Sequence, residues 1–485
     1  MAFTKTPMAA TYDTTRVSLV GSPLQRTGSP TKDYRLVNMM VELNDSPTQE
    51  TKKAFIKSRP GLSSAYTVNS GAARGLFYWV VSGIGYVFTV VADKVYVNGV
   101  LLQTITTTTG KVGFTLFVQG TGVVSLIMLD GIKGYIFTDP AVAGTEIVSA
   151  DFPTPHVPTP IFMDAYLFVA KADTQDIYNS NVDDPALWTA GDYISAEMYP
   201  DTIKALTKNN NYIYAIGSDT VEYFYDAAIA TGSPLQKHDS AVQQFGTVAP
   251  DSVVQTEKEV IFIGATGNGG NTVWTIDGFK EKEIGIPMVK NAFLAEGAAL
   301  ANCNAYCIRM SGQKLYFIRL TTRTLVYSFD TKLWHEWTSG VDGTLPFVGE
   351  FATDGPGGTA YMLNKNGVSV YSMSEANYTD AGTAFLCEVV TAKIDFDTIN
   401  RKFGSRLSII GDIPDGGGTE NTFYVSWSDD DYNTWSSERQ LTYMYDFPTI
   451  GQLGSFRRRA FKIHYSLPHL VRLEGIELDY NKGQQ

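Results

Sequence analysis

Three stretches of this 485-residue chain hold residues whose types and spacing could do chemistry. GATGNGG, Gly264–Gly270, has the glycine content of a phosphate cradle. A Walker loop must close on Lys-Ser/Thr and open a helix. Here Asn271-Thr272 follow and NTVWTID reads as a strand, so a hairpin loop is expected. In SDDDYNTW, Ser428–Trp435, an Asp can cap a hairpin turn through backbone amides while the Trp packs beneath it. Arg457, Arg458 and Arg459, with Arg439 before and Arg472 after, form the dense basic cluster of the chain. Guanidinium forks suit carboxylate or phosphate. A subunit interface is favoured over DNA, because so short a run in a chain of net charge −12 cannot alone supply genome binding.

The other reactive side chains are scattered. His156, His238, His335, His464 and His469 fall in no nucleophile elbow, zinc helix or triad-like setting. His335, between Trp334 and Trp337, reads as a hydrogen-bonded core residue. Cys303, Cys307 and Cys387 are too few and too odd in number for a disulfide framework. Cys303 and Cys307 lack a second pair of ligands, so buried thiols are expected and no metal or cofactor is. No catalytic residue is assigned.

Those positions must be carried by strands. Hydrophobic residues make up 44% of the chain and charged residues 18%, which allows a large core and argues against disorder. The 27 Tyr, 26 Phe and 44 Gly suit pleated strands punctuated by tight turns. The N-terminus shows no apolar stretch of the signal-peptide kind. The run Leu76–Ala92 is interrupted by Ser82-Gly83-Ile84-Gly85, so two strands and a turn are expected rather than a membrane span.

From Ser58 onward, short apolar segments come in groups of three or four at a rhythm of ~40–50 residues, the period of propeller blades. Asn98-Gly99 and Asp130-Gly131 mark hairpin turns. A short helix is expected near Met288–Leu300. The fold expected is all-β: an extended N-terminal arm over 1–57, a β-propeller of six or seven blades over 58–375, and a C-terminal antiparallel β-sandwich over 376–485.

Ser428–Trp435 resembles the Asp-box of sialidases, with Tyr432 at its glycine position. In that family the motif is a folding device. Other stretches span most of the chain: SRPGLSSAY (Ser58–Tyr66), GAARG (Gly71–Gly75), NNNYIYAIGSDTVEYFYDA (Asn209–Ala227) and GSFRRRAFKIHYSLPHLVRLEGIELDY (Gly454–Tyr480). In order and spacing they resemble the packaged-DNA stabilisation proteins, or tail accessory proteins, of short-tailed bacteriophages. The resemblance implies a non-enzymatic virion protein, made in the host cytoplasm and placed in the tail as a nozzle or hub. It implies a homo-hexameric ring below the portal–adaptor complex, with needle, fibre or spike proteins beyond it. Double-stranded DNA would be retained and later ejected through its channel without sequence-specific binding or membrane insertion. A receptor- or glycan-binding propeller is the alternative expectation.

Overall fold

A computed structural model describes residues 13–21, 34–44, 53–266, 270–412, 421–443 and 447–483. Helix among them is confined to Pro287–Glu296 and short 3-10 turns, so the protein is all-β. They divide into two compact units: Leu62–Asp330 with Pro346–Ser374, and Met1–Gly61 with Thr331–Leu345 and Glu375–Gln485.

The first unit is a β-propeller built from seven successive antiparallel meanders. They begin at Ala73, Gly113, Ile161, Ile203, Phe245, Asn304 and Gly349. Their turns follow from local chemistry. Ser82-Gly83 and Asn98-Gly99 both have two successive positive φ values, as two-residue hairpins require. Leu76–Ala92 is therefore hairpin, and no helix among the described residues is long and apolar enough to cross a membrane. GATGNGG joins the paired strands Val260–Thr266 and Asn271–Asp277; its tip, 267–269, lies outside the described residues.

The middle strands explain why the sequence shows apolar runs rather than alternation. Side chains of a strand point alternately to opposite faces. In Val124–Leu129, Leu126 and Met128 join a cluster with Trp79 and Phe88 of the preceding meander. Ile127 and Leu129 join another with Leu167 and Val169 of the following one. Phe168 and Ala170 then meet Ile213 and Ala215, while Tyr214 and Ile216 meet Phe245 and Phe262. Each sheet is buried on both faces, so both sets of positions must be apolar.

The ring is sealed without a covalent bond. Strand Gly61–Ser70, at the start of the propeller, is the fourth strand of the last sheet, beside Gly367–Ser374. Val68 packs there with Leu363 and Val370, and Leu76 and Val87 of the first meander complete the same cluster.

The second unit has two facing sheets. One runs Met39–Asn44, Lys53–Ser58, Arg472–Lys482, Lys402–Gly411 and Thr449–Phe456, with Asp13–Ser18 also on Arg472–Lys482. In the other, Arg35–Val37 lies between Trp334–Ser339 and Cys387–Val390, followed by Ala460–Tyr465, Asn421–Ser428 and Arg439–Tyr443. Their inner residues, including Val41, Ile56, Leu407, Ile476, Phe423 and Ile463, share one core. The expected arm, 1–57, contributes four of these strands. Met39–Asn44 and Lys53–Ser58 pair with each other, while Asp13–Ser18 and Arg35–Val37 pair only with strands from far along the chain, so these short strands leave no repeating signature. Residues 413–420, within the glycine-rich stretch GDIPDGGGTEN (Gly411–Asn421), lie outside the described residues.

Arg59 ties the three segments of this unit together. Its side chain is completely buried. Nε donates to Asn38 Oδ1 at 2.9 Å. Nη1 donates to Pro60 O and Asp380 Oδ1, each at 3.0 Å. Nη2 donates to Thr338 O at 3.1 Å and Asp380 Oδ2 at 2.6 Å. All five N–H groups are used. The guanidinium also lies 3.7 Å from the Phe385 ring centroid and 5.5 Å from that of Trp337. Gly61 follows because no Cβ fits: it would lie 2.4 Å from the Thr379 backbone nitrogen.

Arg59→Met abandons Asp380 and three neutral acceptors, and is expected to cost ~3–5 kcal/mol of unfolding free energy. Arg59→Lys keeps the charge but cannot reproduce the fork, and is expected to recover only part of it. Urea denaturation checks both, and a wild-type midpoint in Arg59→Met would refute the role.

His335 generates a pH dependence. It is buried, its Nδ1 lies 2.9 Å from Met39 O, and burial pushes its pKa down from 6.5 to about 4. The unfolded chain takes up a proton near pH 6.5 and the folded chain does not. Stability is therefore full above pH 6.5 and falls as pH drops towards 4. At ~1.4 kcal/mol per tenfold in proton affinity, about 2 kcal/mol is lost between pH 7 and 5. His335→Asn removes the titration, so its stability should fall less over that interval. Equal pH slopes in the two proteins would count against this assignment.

Candidate functional site

The first strands of six meanders, together with Val254 and Gln255 of the fifth, line one open cavity of about 640 Å³, bounded by residues such as Phe77, Phe114, Phe162, Leu206, Tyr306 and Phe351. This is the arrangement expected where the inner strands of a propeller surround its axis. Phe77 and Phe114 stack there with centroids 5.5 Å apart. Two lysines enter the same space. Lys111 Nζ donates to Asp251 O at 3.2 Å and pairs with Asp251 Oδ1 at 3.6 Å. Lys208 Nζ donates to Phe162 O at 2.7 Å, and burial pushes its ammonium below the ordinary lysine range. No motif announces these lysines, since Lys111 sits singly in the loop before Gly113–Val118 and Lys208 singly on Ile203–Asn209.

The stretches that carried the family resemblance are structural. In GAARG, Arg74 is buried and donates from Nε to Gly110 O, and from Nη1 to Ala92 O and Thr107 O. Its Nη2 meets Thr107 Oγ1 at 2.9 Å, and Thr107 donates to Asp130. One arginine thus holds three loops. In the Asn209–Ala227 stretch, Gly217 clears the Asp201 carboxylate, which accepts from the backbone of Asp219 and Thr220. Glu222 is buried against Lys237 at 2.5 Å.

The arginine run is divided. Arg459 is 1% exposed and forms a fork on Asp429 at 2.7 and 2.8 Å, with its guanidinium 4.2 Å from the Phe456 centroid. Arg458 is 53% exposed and reaches Asp431 at 3.2 Å. Arg457 is exposed and donates to Ile399 O at 2.7 Å. The three lie in the bend between Thr449–Phe456 and Ala460–Tyr465, where Arg459 alone bridges to Ile394 and is buried, so a contact surface can draw only on Arg457 and Arg458.

The acidic partners belong to Ser428–Trp435. Asp430 accepts from Thr434 N at 2.9 Å and Thr434 Oγ1 at 2.6 Å, which hold its carboxyl down at about pKa 2. Asp431 and Tyr432 both have positive φ. Trp435 packs against Tyr432. The stretch is the capped turn that its sequence indicates.

The remaining reactive groups are quiet. Burial raises the Cys303 and Cys387 thiols to about 12, so both are protonated at neutral pH. His156 is buried, with Nδ1 at Pro153 O and Nε2 accepting from Gly131 N, so both ring nitrogens are engaged. His464 Nε2 contacts Glu438 at 3.0 Å.

No curated protein matches the chain significantly. Among solved structures it is similar to the β-propeller domain of Myceliophteria thermophila Cps50 (Swd1). That match has a TM-score of 0.40 and 9% identity, and covers 64% of this chain and 99% of that one. It is also similar to the extracellular domain of the one-component system BT4673 from B. thetaiotaomicron. There the TM-score is 0.42 and the identity 12%, over 76% of this chain and 43% of that one. The phage-stabilisation profile, described as bacteriophage P22 Gp10, beta-propeller, matches residues 26–355, more than half of the chain. The chain belongs to this phage-stabilisation family of β-propeller proteins.

Proposed function

We propose that the protein is a non-enzymatic structural component of a short phage tail. Its copies assemble as a homo-hexameric ring that extends the portal–adaptor channel, retains packaged DNA and conducts it during ejection. Needle, fibre or spike proteins would join its far end. Family membership over residues 26–355 is the observation that carries this reading. In this reading the seven meanders are seven blades and the two facing sheets are the C-terminal sandwich.

The propeller's dimensions say where such a channel would run. A cavity of about 640 Å³ suits a small molecule and not a duplex whose major groove alone is ~12 Å wide. DNA would pass between copies of the chain and not along the propeller axis. The net charge of −12 favours a wall that repels phosphate instead of holding it.

Negative-stain electron microscopy of the purified chain, alone and with portal–adaptor complexes from the same source, tests the assembly. A ring that caps the adaptor is expected. A monomer that ignores the adaptor would sink the proposal.

The arginine run allows a second test. Arg457→Glu with Arg458→Glu should abolish ring formation while leaving the melting temperature unchanged. Arg459→Met should instead lower unfolding stability by about 2 kcal/mol, below the usual loss for a fully buried pair, because Asp429 is 38% exposed and is hydrated when abandoned. Normal rings from the double Glu variant would remove Arg457 and Arg458 from the interface.

A further inference from the structure

The negative charge of the chain is concentrated. Residues 161–243, which form the third and fourth sheets of the propeller, hold twelve Asp and Glu, four Lys and no Arg, and so carry −8 of the total of −12. Among the described residues these carboxylates make one ion pair, Glu222 with Lys237. A groove opens in the same stretch, walled by Asp184 and Asp192 and by the exposed side chains of Val182, Leu187 and Ile229. Tyr166 lines it too, and burial first, then the charges of Asp226 and Asp192, push its phenol up. Asp192 has no ion pair among the described residues, and Asp226 accepts from Ala228 N at 2.6 Å.

The second unit presents the opposite chemistry where Lys402–Gly411 begins. Ile399 is 72% exposed and Phe403 49%. Arg457 Nη1 donates to Ile399 O at 2.7 Å, and Arg401 Nη1 reaches Ser455 Oγ, opposite Phe403 in the sheet, at 3.5 Å. Neither guanidinium makes an ion pair among the described residues. Buried Lys402 secures this knuckle by donating to Thr398 O and, at 2.8 Å, to Arg457 O. Of the acids nearby, Asp431 is taken by Arg458 and Asp395 accepts from Asp397 N. Two unpaired guanidinium groups and two apolar side chains thus stand against one exposed carboxylate, Asp397.

Copies of a chain of net charge −12 repel one another, so a contact between two of them needs a place where opposite charges meet. A closed ring built head to tail joins two different surfaces of the subunit. We propose that the acidic groove of the third and fourth sheets receives the basic knuckle of a second copy of this chain. Arg401 and Arg457 of one copy face Asp192 and Asp226 of the next, and Ile399 and Phe403 cover Val182, Leu187 and Ile229. The pairing rests on the reading of the chain as a ring-forming tail protein and names the surfaces that ring would use. Arginine and aromatic side chains around an apolar centre are the usual make-up of such contacts.

The test uses the full chain with portal–adaptor complexes from the same source, and counts rings by negative-stain electron microscopy. A groove variant carries Asp192→Lys and Asp226→Lys, and a knuckle variant carries Arg401→Glu and Arg457→Glu. Each alone should lose about nine-tenths or more of its rings, because like charges then meet at every contact. Mixed in equal amounts, the two should restore rings in which they alternate, since every contact again joins opposite charges and an even-membered ring closes. Thermal melts establish that each variant is folded. Should Asp226→Lys unsettle its turn, Asp192→Asn with Asp226→Asn keeps the acceptor and should raise the concentration needed for assembly about tenfold. Wild-type rings with no loss in either folded variant overturn this pairing and leave the tail reading standing. Variants that lose their rings and do not regain them on mixing overturn it as well. A wild-type chain that forms no ring with the adaptor present fails the tail reading and this pairing together.

Discussion

A single guanidinium sets the terms for the second unit. Arg59 is buried with every donor used, and its acceptors come from segments hundreds of residues apart: Asn38, Thr338 and Asp380. A cation so placed is tolerable only if all of these partners arrive together. The requirement makes the unit cooperative, since no one of its three segments can fold correctly without the others. It also accounts for the residues around Arg59. Asn38 has positive φ and sends its side-chain amide to Thr338 and Leu386. Gly61 leaves room for the Thr379 backbone. Arg35, a short step away, repeats the theme with Glu336 at 2.7 Å and Glu388 at 3.4 Å.

The propeller rests on a different constraint. No sheet is amphipathic, because each middle strand is apolar towards both neighbours. Stability is therefore distributed through the clusters between consecutive sheets and has no single centre. Arg74 plays a smaller part than Arg59, binding loops around the first two meanders. The two arginines divide the labour: one joins distant segments, the other secures local connections.

Much of this architecture was legible in the sequence. Strand groups, turn pairs such as Asn98-Gly99, the helix after Ile286 and the capped turn at Asp430 all depend on neighbours within a few residues. What was not legible depends on distant partners. Strand Gly61–Ser70 looks like any half-buried strand, and nothing local says that it completes the last sheet. The strands within 1–57 are short, and two of the four pair only with distant strands, so they show no period. Arg457, Arg458 and Arg459 look alike in sequence, yet only Arg459 is buried, because its bridge to Ile394 and its fork on Asp429 involve residues that are distant in the chain. Lys111 and Lys208 converge on one cavity only because the sheets close into a ring.

The manner of that closure bears on biosynthesis. The strand that seals the propeller is made before any of the meanders, and its partner, Gly367–Ser374, follows some three hundred residues later. Throughout that interval the nascent chain carries an exposed strand edge at each end of a growing stack. The C-terminal segment that meets Arg59 emerges later still. The propeller cannot close before Gly367–Ser374 is made, nor the second unit before Arg472–Lys482, so each passes through synthesis as an open intermediate. In that interval the chain's open edges can pair with those of neighbouring chains, and the cluster of Val68, Leu363 and Val370 removes that hazard once the last sheet is complete.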